Sequence, residues 1–180
     1  MAARSEADVV ATEMRWTIAV GATVALISLG ILWAAIAQFI NPPSNYETID
    51  PATLHLSPEF TEANLGTTAT EGQVTTRIVT TQFAFVPPCV VVPAHERVTL
   101  RFASPDVIHG ILVTGTNVNT MVVPGYVSQV HTVFTRTGDL LMPCHEYCGI
   151  GHSQMWATVR VVDRADFKPD AQGKVACEKP

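Results

Sequence analysis

Hydrophobic residues follow two different patterns along this chain. Residues 16–40 form an apolar stretch that contains no Asp, Glu, Lys or Arg. At about 1.5 Å rise per residue, a helix of this length crosses the roughly 30 Å hydrocarbon core of a bilayer. From residue 73 onward, short runs of β-branched and aromatic residues alternate with turn formers instead. The two patterns predict one membrane-spanning helix followed by a domain built from strands.

The second pattern predicts seven or eight short strands. Pro, Gly, Asn and Asp residues separate the runs, and no run has a convincing helical period. The predicted strands cover residues 74–85, 90–92, 98–102, 111–113, 121–123, 127–134, 139–142 and 157–162. Closely spaced short strands without helices favour an all-β sandwich or barrel.

Composition suggests where these parts begin and end. Asn41-Pro42-Pro43 ends the helix, because proline lacks the amide hydrogen that a helix needs. The sequence rich in Pro, Thr and Asn that follows predicts a surface linker with one helical turn near residues 58–64. The expected parts are a tail (1–15), the membrane helix (16–40), the linker (41–72), the strand domain (73–163) and a polar C-terminal tail lying on that domain (164–180).

Basic residues flank the apolar stretch unequally. Arg4 and Arg15 precede it, and no Lys or Arg follows before Arg77. The positive-inside rule then places the N-terminus in the cytoplasm and residues 41–180 outside. A cleaved secretory signal is the alternative, since Ala35-Ile36-Ala37 resembles a cleavage site, but the apolar core of a signal spans only about 7–15 residues. We therefore expect a retained anchor. The net charge of −5 and scattered basic residues do not indicate nucleic-acid binding.

Potential metal ligands concentrate in residues 143–155. This segment reads Pro-Cys-His-Glu-Tyr-Cys-Gly-Ile-Gly-His-Ser-Gln-Met. Thiolate, imidazole and thioether groups are donors that copper prefers. A local disulfide between Cys144 and Cys148, a structural zinc site and a copper site all remain open on spacing alone. A mononuclear blue-copper site uses one cysteine, so two thiolates favour two bridged copper ions, with His109 as the candidate histidine from outside the segment.

The motif in this segment resembles the CuA domain of cytochrome c oxidase subunit II. It consists of Cys-x-Glu-x-Cys-Gly-x-Gly-His-x-x-Met, preceded by Asp-Val-Ile-His at residues 106–109. The single helix is most similar to the B-type haem-copper oxidases. The resemblance implies a cupredoxin-like Greek-key sandwich with a binuclear copper centre bridged by Cys144 and Cys148. It also implies that His109 and Met155 complete one ion, and that His152 and the carbonyl of Glu146 complete the other.

The same resemblance implies a function and a location. The chain would accept electrons from cytochrome c or a small copper protein and pass them to haem in subunit I of a respiratory terminal oxidase. It would lie in the plasma membrane of a prokaryote and contain no catalytic residue of its own. The Glu146 side chain would be a candidate ligand for magnesium at the subunit interface. A nitric oxide reductase subunit and a membrane-tethered copper-delivery protein are the alternatives.

The sequence also predicts roles or positions for several residues outside the motif. Residues 82–85 occupy the place of a tryptophan-rich stretch in mitochondrial relatives but contain no tryptophan, which favours an apolar docking surface for the electron donor. We expect Tyr147 and Trp156 to have packing roles, with the lining of an electron path as the alternative. We expect Cys89 and Cys177 either to pair or to remain free thiols. Four histidines are expected to lie at the surface outside the ligand set: His55, His95, His131 and His145.

Overall fold

The computed structural model describes residues 5–37 and 46–177, which form a helical unit and a β-rich unit. The helical unit is α1 (Glu6–Ala37), and Glu6–Ile36 is long and apolar enough to cross a membrane. Residues 38–45, where the helix was predicted to end, lie outside the described part of the chain.

The helix begins about ten residues before the predicted span. Residues 6–15, predicted as a cytoplasmic tail, are therefore helical and continuous with the predicted span. The main chain N–H of Asp8 donates to the Ser5 hydroxyl at 3.2 Å, and Glu6 and Asp8 lie in the first turn. A hydroxyl cap and acidic residues stabilise a helix N-terminus, because they satisfy free amides and oppose the helix dipole.

The β-rich unit consists of short strands joined by turns and three 3₁₀ segments. The strands are β1 (Glu47–Thr48), β2 (Gly66–Thr70), β3 (Gln73–Thr81), β4 (Ala84–Val86), β5 (Cys89–Pro93), β6 (Arg97–Ala103), β7 (His109–Leu112), β8 (Asn119–Val122), β9 (Tyr126–Val133), β10 (Gly138–Pro143), β11 (Trp156–Val162) and β12 (Lys174–Val175). The 3₁₀ segments are Pro51–Leu56, Glu62–Asn64 and His152–Gln154.

These strands form two main sheets and one separate hairpin. The larger sheet has the order β1-β9-β6-β3-β2-β12, with β4 paired to β3 at one end. The second sheet has the order β10-β11-β5, and β7 pairs with β8. The pairs β3–β6 and β5–β11 are parallel, and the other pairs are antiparallel.

The core lies between the two main sheets. Ile78 and Leu100 from the larger sheet and Val92 and Val159 from the second sheet are fully buried in one cluster. Along β3 and β11 buried residues alternate with partly exposed ones, as the period of two in a strand requires. The prediction of a mainly β sandwich preceded by one apolar helix is therefore confirmed.

Residues 46–72 belong to the β-rich unit, so the predicted linker was wrong for this stretch. Leu54 and Phe60 are buried against Ala103 in a second apolar cluster, and β2 pairs with β3. The buried hydroxyls of Thr67 and Thr76 lie 3.0 Å apart across these strands. A threonine-rich strand shows no hydrophobic alternation, because its buried positions are polar groups that hydrogen-bond each other.

Ion pairs attach this stretch to the larger sheet. The Glu59 carboxylate accepts from the Nε of Arg77 at 3.1 Å and from the guanidinium of Arg101. Partial burial raises the pKa of Glu59, but hydrogen bonds and charge attraction from Arg101 and Arg77 outweigh it, and the pKa lies below its usual value. Glu59 therefore remains ionised at neutral pH and couples two neighbouring strands to the segment before β2.

The predicted C-terminal tail is also part of the fold. β12 adds to the edge of β2, and Phe167 is buried in the core between the sheets. A disulfide joins Cys177 to Cys89 at the start of β5. Of the two expectations for these cysteines, pairing is confirmed, and the tail is fastened to both sheets rather than only lying on the surface.

Candidate metal centre

The ligand loop, residues 143–155, connects β10 to β11. These strands pair as far as Pro143 and Trp156, and the Cys144 amide donates to the Met155 carbonyl at 3.0 Å. The two ends of the loop are therefore fixed next to each other. Cys144 and Met155 lie at these fixed ends, while Cys148 and His152 lie in the turn between them.

His109 reaches the loop from a different part of the chain. It is the first residue of β7, whose Ile111 forms a β-bridge with Cys144. The His145 amide donates to the Gly110 carbonyl at 3.0 Å, and a Cβ at Gly110 would lie 2.9 Å from the Glu146 amide nitrogen. Glycine is thus required at position 110, because only a residue without a side chain allows β7 to approach the loop so closely.

The structure brings all six predicted ligands together. The cysteine sulfurs lie 3.9 Å apart, and His109 Nδ1 lies 3.9 Å from the Cys144 sulfur. His152 Nδ1 and Met155 Sδ each lie 3.6 Å from the Cys148 sulfur. The Glu146 carbonyl oxygen lies 3.3 Å from the Cys144 sulfur.

These donor groups are shielded from solvent. The exposed fraction is 0% for His109, 6% for Cys144, 4% for Cys148 and 2% for Met155, whereas His152 is partly exposed. The ligand atoms of His109, Cys144 and Cys148 all lie within 4.8 Å of one another. Such a cluster of buried donors can hold a metal ion away from exchange with water.

The donor set fits copper and leaves room for an ion between the sulfurs. Neither Cys144 nor Cys148 is in a disulfide, so the local disulfide considered from spacing is absent from the described structure. A metal–sulfur bond is about 2.3 Å long for zinc, so an ion can contact two sulfurs separated by 3.9 Å. Two thiolates, two imidazoles and a thioether are soft or borderline donors, which copper favours.

Asp106 orients one of the histidines. Its Oδ1 lies 3.0 Å from His109 Nε2, so a hydrogen on Nε2 leaves Nδ1 as the lone-pair donor facing Cys144. Burial raises the pKa of Asp106, but hydrogen bonds from the Gln82 amide, His109 and other neighbours hold the pKa well below its usual range. Asp106 is part of the Asp-Val-Ile-His motif, but the sequence alone assigned it no role.

The metal-free Cys148 thiol is held in its protonated form. Burial and the neighbouring Cys144 raise the pKa of Cys148 above its ordinary value. Because thiolates are the metal-binding form, loading this site must displace protons. The raised pKa also slows oxidation of Cys148, since the thiolate is the reactive species.

Several apolar and aromatic side chains are exposed around the ligand loop. Tyr147 is 73% exposed, Ile150 98% and Trp156 58%, and Phe83 is partly exposed beside them. Tyr147 in the loop and Trp156 at the start of β11 are therefore not packed in the core, although the ring centroids of Tyr147 and His152 lie 5.9 Å apart.

The structure also shows where Glu146 and the histidines outside the ligand set lie. Four histidines outside the ligand set are exposed, as predicted: His55, His95, His131 and His145. Glu146 is also exposed, so its carbonyl lies at the site while the residue as a whole faces solvent.

The fold and this donor set are those of a β-sandwich of the cupredoxin class with a candidate metal site, and the chain also has an apolar N-terminal helix. Residues 69–162 match the family of the cytochrome c oxidase subunit II periplasmic domain. The chain is 35% identical over 121 residues to cytochrome c oxidase subunit 2 of Thermus thermophilus, covering 67% of this chain and 90% of that protein. The chain belongs to the cytochrome c oxidase subunit II family, and it is a subunit of an oxidoreductase complex of the haem-copper oxidase type.

Other relatives agree with this assignment. Cytochrome c oxidase subunit 2 of Mycobacterium tuberculosis is 35% identical over 95 residues, which cover 49% of this chain and 26% of that protein. A chain in the cryo-EM structure of a heme-copper terminal oxidase dimer aligns with a TM-score of 0.56 and 25% identity, covering 84% of this chain and 99% of that one. The resemblance inferred from the motif is confirmed, and the family implies copper in the site.

Proposed function

We propose that this chain is the electron-accepting subunit of a respiratory haem-copper oxidase, with a binuclear CuA centre. The observation that carries the proposal is the pair of buried, unoxidised cysteines 3.9 Å apart, each beside a histidine nitrogen. Cys144 and Cys148 would bridge two copper ions. His109 and Met155 would complete one ion, and His152 and the Glu146 carbonyl would complete the other.

The scaffold suits electron transfer rather than bond-making chemistry. Bound copper supplies one-electron redox chemistry at this site. The ligand loop is joined to two β-strands at its ends, so the donor atoms move little when the charge of the site changes. Burial of His109, Cys144 and Cys148 keeps water away, which reduces the solvent rearrangement that accompanies each transfer.

The donor would dock on the apolar surface around the loop. Phe83, Tyr147, Ile150 and Trp156 are exposed there, and residues 143–156 contain no Lys or Arg. A cytochrome c or a small copper protein with an apolar contact face fits this surface. A reduced donor would lose one electron to this subunit, which would pass it to haem in subunit I.

The helical unit would anchor the subunit in the plasma membrane of a prokaryote. Arg4 and Arg15 would keep the N-terminus in the cytoplasm, which places the CuA domain outside. The haem-binding partner spans the same membrane. The exposed Glu146 side chain would contribute to a magnesium site at the interface with subunit I.

Copper stoichiometry and electron paramagnetic resonance on the full-length protein in detergent test the proposal. We expect two copper ions per chain and a hyperfine pattern from one unpaired electron shared by both nuclei. A single copper ion with a localised spectrum, or bound zinc in its place, would refute the binuclear centre.

Turnover by the intact complex tests the remaining alternatives. Oxygen consumption with a reduced cytochrome c is expected, and nitric oxide consumption without oxygen consumption would assign the chain to a reductase instead. Rapid loss of copper to a mild chelator would indicate a delivery protein. The burial of the cysteines and Met155 favours slow loss.

A further inference from the structure

Gln82 contacts both parts of the chain that carry the copper ligands. It lies in the turn between β3 and β4, far from the ligand loop in sequence. Its side-chain Nε2 donates to the Cys148 carbonyl at 2.5 Å. Its main-chain N–H donates to Asp106 Oδ2 at 2.7 Å.

Each of these contacts leads to a candidate ligand. Cys148 carries one of the two sulfurs, and Asp106 lies 3.0 Å from the Nε2 of His109. His109 and Cys148 are far apart in sequence, so the main chain between them does not fix the distance between the two residues. Gln82 therefore links the ligand loop to the His109 turn through hydrogen bonds at two of its own atoms.

The residue that follows Gln82 holds the turn against the loop. The ring of Phe83 lies so close to Gly149 and Gly151 that a Cβ on either glycine would come within 2.8 Å or 2.6 Å of it. Gly149 also has a φ of +132°, which disfavours other residues. This contact brings the Gln82 amide within reach of the Cys148 carbonyl.

We propose that Gln82 is a positioning residue for the metal centre, holding Cys148 and the Asp106–His109 pair at a constant separation. The inference rests on the proposed copper site. Residues that hydrogen-bond to metal ligands, without binding the metal themselves, orient the donor atoms. Loss of one such residue typically lowers the metal affinity about 10–100-fold. Because Gln82 is exposed, replacing its amide leaves no cavity in the core.

The test compares Gln82→Leu with Gln73→Leu in the full-length protein in detergent. Gln73 is exposed at the first position of β3, the strand that precedes the turn with Gln82, so it controls for the loss of a surface amide. We expect Gln82→Leu to bind two copper ions, to release copper to a chelator about 10-fold faster, and to show an altered hyperfine spectrum. Gln73→Leu should match the unsubstituted protein in all three measurements.

A second readout needs no copper. In the metal-free protein, the rate at which a thiol reagent alkylates Cys144 and Cys148 reports how often the loop opens. We expect Gln82→Leu to raise this rate several-fold and Gln73→Leu to leave it unchanged. In Gln82→Asn the side chain is one methylene shorter, so its amide does not reach the Cys148 carbonyl. This variant should behave like Gln82→Leu, and it replaces Gln82→Leu in the test if the leucine variant does not fold.

The outcomes separate the inference from the proposed function. Unchanged copper release, spectrum and alkylation in a folded Gln82 variant would overturn the inference, even if its thermal midpoint fell. Failure of the unsubstituted protein to form a two-copper centre would overturn the proposed function instead. In that case the alkylation rates still decide whether Gln82 holds the ligand loop.

Discussion

The ligand end and the flank of the β-rich unit are held together in different ways. The ligand end comprises residues 104–110 and 143–155, and it is built from close backbone contacts, glycines and reduced cysteines. The flank comprises residues 46–70 and 164–177, and it is held by the Cys89–Cys177 disulfide and by Glu59 between two arginines. Both regions contain polar groups, but only the ligand end directs donor atoms toward a common point.

The two regions use cysteine residues for different roles. Cys144 and Cys148 are four residues apart and remain thiols, whereas Cys89 and Cys177 are separated by 88 positions and form a disulfide. Changes at the ligand end should remove copper while the sandwich stays folded. Changes in the flank should lower stability while the metal centre keeps its spectrum.

The largest expected effect is the loss of the two-copper centre in Cys148→Ser. Serine cannot supply a bridging thiolate, so the shared-electron spectrum should disappear completely. Copper content and electron paramagnetic resonance measure the change, and circular dichroism should show an intact fold. A binuclear spectrum in this variant would contradict the ligand assignment.

Removal of the disulfide provides the matched comparison. Cys89→Ser together with Cys177→Ser should lower the free energy of unfolding by about 2–5 kcal/mol, because the unfolded chain gains freedom when the long loop is opened. Chemical denaturation of the metal-free protein measures the loss. The copper spectrum should stay unchanged, and its disappearance would show that the two regions are not independent.

Asp106→Asn should weaken the site without dismantling it. Asparagine keeps one oxygen acceptor but loses the charge that fixes the His109 ring, so we expect a loss of copper affinity of about 10–100-fold. Competition with a chelator measures this affinity. Asp139→Asn is the control, because Asp139 pairs with Arg160 on the strands β10 and β11. Equal affinities in both variants would argue against a positioning role for Asp106.

Glu59→Gln should have the smallest effect, a loss of about 1 kcal/mol for a partly exposed charged pair. The pKa of Glu59 is lowered by folding, so its carboxylate stabilises the native state above about pH 4.5 and loses this contribution as the pH falls further. Denaturation of both proteins at several pH values checks this. The difference between them should shrink below pH 4.5, and a constant difference would contradict the charge-based explanation.

The ligand loop was predictable because its residues are neighbours in sequence. Five of the six candidate ligands lie within residues 143–155, and the thiol, imidazole and thioether groups among them are donors that copper prefers. His109 was already a candidate on sequence alone, but the family resemblance was needed to assign it as a ligand, since a single histidine carries little information. The contacts of Asp106 and Gln82 could not be predicted, because they depend on which turns the sandwich brings beside the loop.

The flank was missed for the opposite reason. Leu54 and Phe60 are isolated apolar residues in a polar sequence, and β2 is mostly threonine. Hydrophobic periodicity detects repeated burial on one face, so it fails where single side chains and paired hydroxyls supply the contacts. The outward positions of Tyr147 and Trp156 were not predicted because aromatic residues usually suggest burial. Tyr147 lies in a tightly turned loop and Trp156 begins the strand after it, and both positions expose side chains.

The sequence by itself determined the apolar helix, the strand-rich domain and the chemistry of the ligand loop, because each depends on residues close together in the chain. The tertiary structure decided the pairing of Cys89 with Cys177, the inclusion of the flank, and the approach of His109, Asp106 and Gln82 to the loop. These features join residues that are distant in sequence. Their energies therefore depend on the completed packing of the sheets, which no local pattern records.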